Sequence, residues 1–372
     1  MTNDHPRHLA QTPPLGWNSW NAFSCKVTEA DIRAAADALV DTGLREAGYE
    51  YVVVDDCWMA GETDSAGRLK PSADFPNGMA ALADYVHDRG LKFGLYSSAG
   101  SHTCQGYPAS LDREELHAEQ FAEWGVDYLK YDNCGDHRGR DAVARYGAMG
   151  DALAALDRDI VFSICNWGYQ EPWKWGEEVG GNCWRTTGDI HDGWGSMAGI
   201  GFRQAGLEEY AEPGHWNDPD MLVIGKIGWG GNQHKTRMTQ DEQYTHVSLW
   251  SLLASPLLLG NNLTDMSDFT RSLITNREVI AVNQDRLGNQ AARISRDGPK
   301  EVWAKALADG SMAVGLFNRS KFPQKRSITV EWKDLDITGK QEVRDLWRQK
   351  SLGTFTGTFT AKVRPHGVVL VK

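Results

Sequence analysis

The stretch MAALADYVHDRGLKFGLYSS, residues 79–98, contains a helix, a stop and a strand. MAALADYVHDRG reads as an amphipathic helix. Gly90 ends the run, because glycine just past a last helical turn adopts the left-handed conformation without a steric cost. LKFGLYSS then reads as a short apolar strand. The same unit recurs on both sides. TEADIRAAADALVDTG (28–43) opens at a capping residue, Thr28, and puts Ile32, Ala35, Leu39 and Val40 on one face before YEYVVVDD (49–56). EELHAEQFAEWG (114–125) leads through Gly125 into VDYLKYDN (126–133). Further strand candidates are LGWNSW (15–20), IVFSICNW (160–167), WRTTGDI (184–190), WNDPDML (216–222) and PLLLG (256–260). Eight strands alternating with helices predict a parallel sheet in an α/β fold, a (β/α)8 TIM barrel. An open doubly wound sheet would carry a glycine-rich phosphate loop after its first strand, and LGWNSWNAF is not one.

After NREVIAVNQDRLGNQ (276–290) the texture changes. EVWAKAL, SMAVGLF, RSITVEW, EVRDLW, GTFTAKV and GVVLVK alternate apolar and polar residues between short turns. Period two without helices predicts a small antiparallel β domain. The expected division is a barrel over 1–290 and a β domain over 291–372.

The 372 residues are 41% hydrophobic, enough for two cores, and the formal charge of −11 argues against a nucleic-acid partner. No run is long and apolar enough to predict a membrane span, and MTNDHPRHLAQ lacks the apolar segment of a signal peptide. The compartment stays open between cytoplasmic and secreted with a signal absent from this chain, as does the choice between monomer and homo-oligomer. Six cysteines at these spacings do not form a zinc site, and spacing alone leaves thiols and disulfides equally open. His102, His191 and His215 form no ligand pair, so neither metal nor cofactor is expected. Many of the fifteen tryptophans stand beside Gly, Asn or Asp, as in GWNSW, NWG and HWND. A ring face next to hydrogen-bonding groups suits sugar recognition, whereas a core role needs only apolar neighbours.

In a barrel, chemistry collects at the C-terminal ends of the strands. Those ends carry Asp55 and Asp56, Asp132, Asp189, then Asp218 and Asp220. In KYDNC (130–134), Lys130 and Asp132 are two apart and share a strand face, so both point into the mouth. The ammonium is expected to lower the carboxyl pKa of Asp132. The same period aligns Arg185 with Asp189. Two inward carboxylates permit a glycosidase arrangement, nucleophile plus proton donor. Local chemistry leaves open which acid is which. A catalytically silent sugar-binding protein would have lost one of them.

Along nearly its whole length the chain resembles glycoside hydrolase family 27. The carrying segments are PPLGWNSW, AGYEYVVVDDCW, FPNGMAALADYVHDRGLKFGLYSS, QFAEWGVDYLKYDNC, SICNWG, WRTTGDI, HWNDPDMLVIG and VIAVNQDRLG. The resemblance implies a (β/α)8 barrel followed by an antiparallel β-sandwich, and retaining hydrolysis of a terminal α-galactosyl residue. By motif it makes Asp132 the nucleophile and Asp189 the general acid/base, with a raised pKa for Asp189. It also implies sugar contacts from Trp20, Asp55, Asp56, Tyr96, Cys104, Lys130, Asn166, Trp167, Arg185 and Asp220, with Lys130 both sugar donor and charge partner of Asp132. Trp167, in a Cys-Asn-Trp-Gly segment, is expected to crowd a 2-N-acetyl group and favour free galactose. α-N-Acetylgalactosaminidase and β-L-arabinopyranosidase are the family alternatives. Finally, the resemblance implies disulfides Cys25–Cys57, Cys104–Cys134 and Cys165–Cys183, which a reducing cytosol would leave as thiols.

Overall fold

The computed structural model describes residues 9–372, so most of MTNDHPRHLAQ lies outside the described residues. The barrel strands are β1 (Leu15–Asn18), β2 (Tyr51–Val54), β3 (Lys92–Ser98), β4 (Tyr128–Asp132), β5 (Val161–Cys165), β6 (Cys183–Arg185) and β7 (Trp216–Asp218). A hairpin of β8 (Lys226–Ile227) and β9 (His234–Lys235) precedes the eighth barrel strand, β10 (Leu257–Leu259). The barrel strands lie in the order β10-β1-β2-β3-β4-β5-β6-β7, and every neighbouring pair is parallel. Leu222, just past β7, makes a parallel bridge to Leu259 and draws the curled sheet round towards its first strands. Seven of the eight barrel strands fall inside the segments expected from sequence, and β6 overlaps its segment but begins one residue earlier, at Cys183.

The helices are α1 (Trp20–Phe23), α2 (Glu29–Asp41), α3 (Gly78–His87), α4 (Glu114–Glu123), α5 (Ala142–Ala154), α6 (Trp194–Gly201), α7 (Gln240–Leu252), α8 (Asp268–Ile274) and α9 (Arg277–Asn283). Among the described residues, no helix is long and apolar enough to cross a membrane. α2 begins where Thr28 predicts. The Thr28 hydroxyl accepts from Asp31 N, and the Asp31 carboxylate accepts from Thr28 N, so two free N–H groups are satisfied reciprocally.

Strand alternation sorts side chains into two regions. Tyr51, Val53, Tyr128, Val161, Met221 and Leu258 pack inside the barrel. Val52, Val54, Leu129, Tyr131, Phe162 and Ile164 point outward and pack under the helices. Each buried aliphatic group of this kind contributes roughly 1.5–3 kcal/mol. Gly16 allows β1 to lie close to β2, since a Cβ there would meet Tyr51 O at 2.5 Å.

The C-terminal region contains β11 (Ala292–Asp297), β12 (Lys300–Ala306), β13 (Met312–Asn318), β14 (Arg326–Glu331), β15 (Lys340–Asp345), β16 (Lys350–Thr356), β17 (Thr358–Val363) and β18 (Val368–Val371). A six-stranded antiparallel sheet, β11-β12-β13-β18-β15-β16, faces the pair β14-β17 across a small core of Val302, Leu316, Ile328, Val330, Phe359 and Val363. β11 and β16 had no counterpart in the sequence reading, because both are polar and largely exposed. The sheet's other face joins the barrel: Trp303, Phe317, Leu346 and Leu370 belong to the same buried cluster as the helix-facing strand residues. Phe202, just after α6, meets Phe317 edge-on at 5.3 Å between ring centroids.

Candidate active site

The C-terminal ends of β2, β3, β4, β6 and β7 surround one cavity of about 190 Å³. Trp20, Asp55, Asp56, Tyr96, Cys104, Lys130, Asp132, Arg185, Asp189 and Asp220 all line it. Of the expected contacts, Asn166 and Trp167 alone are absent from that lining. The chain turns sharply after β5, with Trp167 at φ +50°, and the Trp167 ring goes edge-on to Tyr169 at 6.2 Å. The Asn166 amide donates to Tyr169 O within that turn.

Asp55 forms the floor. Its Oδ2 accepts from Lys130 Nζ at 2.7 Å and from Asn18 Nδ2, on β1, at 2.7 Å. Next to it, Asp56 accepts from Cys57 N at 2.7 Å and Gln105 N at 3.1 Å. Burial pushes the Asp56 carboxyl up to about 6, the Asp55 charge adds to this, and the hydrogen bonds oppose it.

On β4, Asp132 Oδ2 accepts from Tyr96 OH at 3.0 Å, while Oδ1 accepts from Asn133 N at 2.9 Å. Lys130 is therefore not its ion-pair partner, contrary to the sequence reading; Asp55 takes the ammonium. The expected direction of the Asp132 shift is also reversed. Burial raises its pKa, and the Lys130 charge only partly offsets this.

Arg185, on β6, is held between two carboxylates. Its Nη2 lies 3.0 Å from Asp189 Oδ1 and 3.1 Å from Asp220 Oδ2. Asp220 adopts φ +81°, uncommon for a residue with a Cβ. Its backbone is fixed by Trp250 Nε1 donating to its carbonyl at 2.7 Å and by its own N–H donating to Asp218 Oδ1 at 2.8 Å. Asp189 is the exposed member, with its side chain 64% accessible against 5% for Asp220. Burial alone would raise Asp189, but the charges of Arg185 and Lys130 outweigh it and hold the carboxyl below its usual range. This is the opposite direction to the raised value expected from the resemblance.

Two of the three expected disulfides form: Cys25–Cys57, with Cα atoms 5.1 Å apart, and Cys104–Cys134 at 4.9 Å. Cys165 and Cys183 are free buried thiols. Strand register is the reason. Cys183 lies opposite Ser163, so Cys165 is two residues further along. From strand spacing and rise that separates the Cα atoms by about 8 Å, beyond the roughly 7 Å limit for a bridge. Instead Cys165 pairs across from Asp132, and its Sγ lies 3.7 Å from Arg185 Nη1.

Asn21, Gln105, Ile190, Met221 and Trp229 also line the cavity without having been expected there, and His191, expected only beside the site, lines it as well. Trp229 had a usable signal: it stands between glycines in IGWGG, the same Trp-beside-Gly pattern seen elsewhere in the chain.

Comparison with known proteins agrees with this geometry. The family model for alpha galactosidase A matches residues 12–285, and that for the alpha galactosidase C-terminal beta sandwich domain matches 297–372. The alpha-galactosidase of Cyamopsis tetragonoloba is 46% identical over 362 residues, covering 96% of this chain and 85% of that one. The crystal structure of alpha-galactosidase I from Mortierella vinacea superposes with a TM-score of 0.90 at 37% identity, over 99% of this chain and 98% of that one. The Saccharomyces cerevisiae alpha-galactosidase solved with raffinose gives 0.88 at 30%, over 99% of each chain. On this evidence the chain belongs to glycoside hydrolase family 27, the α-galactosidase family.

Proposed function

We propose that this protein hydrolyses terminal α-D-galactosyl residues with retention of configuration, with Asp132 as nucleophile and Asp189 as general acid/base. The reading rests on one observation above all: two carboxylates of opposite exposure line a single small cavity whose floor is a Lys130–Asp55 pair. The cavity is below the roughly 300 Å³ at which drug-sized pockets begin, which suits one sugar ring. Asp55, Asp56 and Lys130 offer acceptors and a donor for the ring hydroxyls, and charge-assisted hydrogen bonds give that recognition direction. Tyr96 and Trp20 supply the walls.

In the first step an Asp132 carboxylate oxygen bonds to the anomeric carbon as the bond to the leaving oxygen breaks, and the Asp189 proton passes to that oxygen. In the second, water attacks the anomeric carbon, its proton passes to Asp189, and the Asp132 ester bond breaks. Arg185 stabilises the Asp189 anion, and substrate that engages Arg185 and excludes water removes that stabilisation, which lets Asp189 take up the proton the first step needs. Residues 1–290 act as the catalytic barrel, and 291–372 as a β domain that braces it.

The test is nitrophenol release from the α-galactoside and the α-N-acetylgalactosaminide by wild type and Asp132→Ala. The reading requires activity on the galactoside that the substitution abolishes. Preference for the N-acetyl sugar would move the protein to the other branch of the family. Activity surviving Asp132→Ala would overturn the assigned nucleophile.

A further inference from the structure

The cavity has a closed end and an open end. Asp55, Asp132 and Arg185 are at most 5% exposed, whereas the Asp189 side chain is 64% accessible. A leaving group protonated by Asp189 must lie on that open side. Two lining residues there have no part in the cycle described above: His191, two positions after Asp189, and Trp229. Their rings are 6.0 Å apart at 56°. Eight other tryptophans use their indole N–H inside the protein, among them Trp58 on Tyr96 O and Trp250 on Asp220 O. The indole N–H of Trp229 makes no hydrogen bond among the described residues.

The segment carrying Trp229 is held in place rather than left to wander. It is the turn between β8 and β9, and Gly228 N and Trp229 N both donate to Asn21 O at 2.9 Å. Gly230, at φ +72°, lies so close to α1 that a Cβ would meet Phe23 O at 2.6 Å. Beyond β9, Arg237 N donates to the buried Asp192 carboxylate at 3.0 Å, tying this segment to the one that carries Asp189 and His191. Trp229 itself has φ +45°, a conformation that costs energy for a residue with a Cβ. A half-buried indole on a strained, anchored turn beside the exposed acid, with its N–H free, is arranged as a stacking platform with a polar edge.

We propose that Trp229, with His191 at its edge, binds the sugar on the leaving-group side of the scissile bond, so that the preferred substrates carry a second pyranose there. This rests on the α-galactosidase reading and adds the acceptor subsite to it. Trp229→Ala and Trp229→Phe are to be compared with wild type on melibiose, whose leaving group is a hexose, and on α-galactosyl fluoride, whose leaving group has no ring. Taking the ratio of kcat/KM for the two substrates cancels any loss of folded enzyme. The expected result is a ratio about tenfold lower in Trp229→Ala, mainly through KM for melibiose, and largely restored in Trp229→Phe. An unchanged ratio in Trp229→Ala overturns the platform while leaving the activity intact. Failure of wild type on both substrates would instead overturn the underlying reading.

Discussion

Lys130 and Asp132 project from the same face of β4, yet the Lys130 ammonium pairs with Asp55, at the end of β2 two strands away, at 2.7 Å. Both members of that pair are buried, 14% and 3% exposed at the side chain. The pair therefore connects two strands of the floor while leaving Asp132 to neutral donors.

Truncating one member of a buried pair strands the other charge, which costs about 3–5 kcal/mol. Lys130→Met is expected to lose about that much in urea unfolding, and Lys130→Met combined with Asp55→Asn to recover part of it. Neither variant should regain kcat/KM, since both lack groups assigned to the sugar. A double variant no more stable than the single would show that the pair does not carry the floor.

Asp189→Ala should slow the enzyme according to what has to leave. General-acid assistance contributes typically about 10²–10⁴-fold. Hydrolysis of melibiose should fall within that range, whereas α-galactosyl fluoride, whose leaving group needs no proton, should fall far less in its first step. Equal losses on both would remove Asp189 from the role of acid.

Asp218 gives a stability prediction with a definite sign. Burial pushes its carboxyl up to about 6, with the Arg185 charge opposing and the Asp220 charge adding. The folded state then holds the proton more tightly than the unfolded state does. This contribution is fully present below the unfolded value, about 3.9, and is lost as pH rises through about 6. Asp218→Asn keeps an acceptor for Asp220 N, so it should have a higher Tm than wild type at pH 7, with the gap closing towards pH 4. A gap independent of pH would contradict the assignment.

The cysteines can be counted directly. Denatured, unreduced protein should yield two thiols, Cys165 and Cys183, and six after reduction. The Cys104–Cys134 bridge closes a 30-residue separation, and a loop of that length implies about 3–4 kcal/mol of stabilisation. Replacing both by serine should lower stability by that order and reduce kcat/KM, because Cys104 lines the cavity and Cys134 follows the Asp132 strand. Four thiols before reduction would mean that one bridge is missing.

The barrel was legible because each helix–glycine–strand unit states its own period, and strand alternation alone aimed Lys130 and Asp132 into the mouth. What that alternation does not encode is the partner on another strand. Asp55 is 75 positions from Lys130, and the pairing of β2 and β4 with the β3 between them brings them together. Register was equally hidden: the Cys165–Cys183 bridge fails by two residues of rise, which no spacing between the cysteines reveals. Trp167 is not among the residues that line the cavity, and it lies on a turn after β5 with φ +50°, a conformation that strand alternation does not encode. Trp229 sits on a hairpin that contributes no acid, so acids at strand ends do not point to it.

β1 pairs with β10, Leu15 against Leu257, and the apolar cluster outside the sheet reaches Leu370. During synthesis, then, the first strand can pair with β2 early but must wait for some 240 further residues before it meets β10, and α7 keeps apolar surface uncovered until the β domain has been made. Such long-range pairing folds slowly. A chain cut short before the β domain would have the proposed catalytic acids but expose sticky barrel surface.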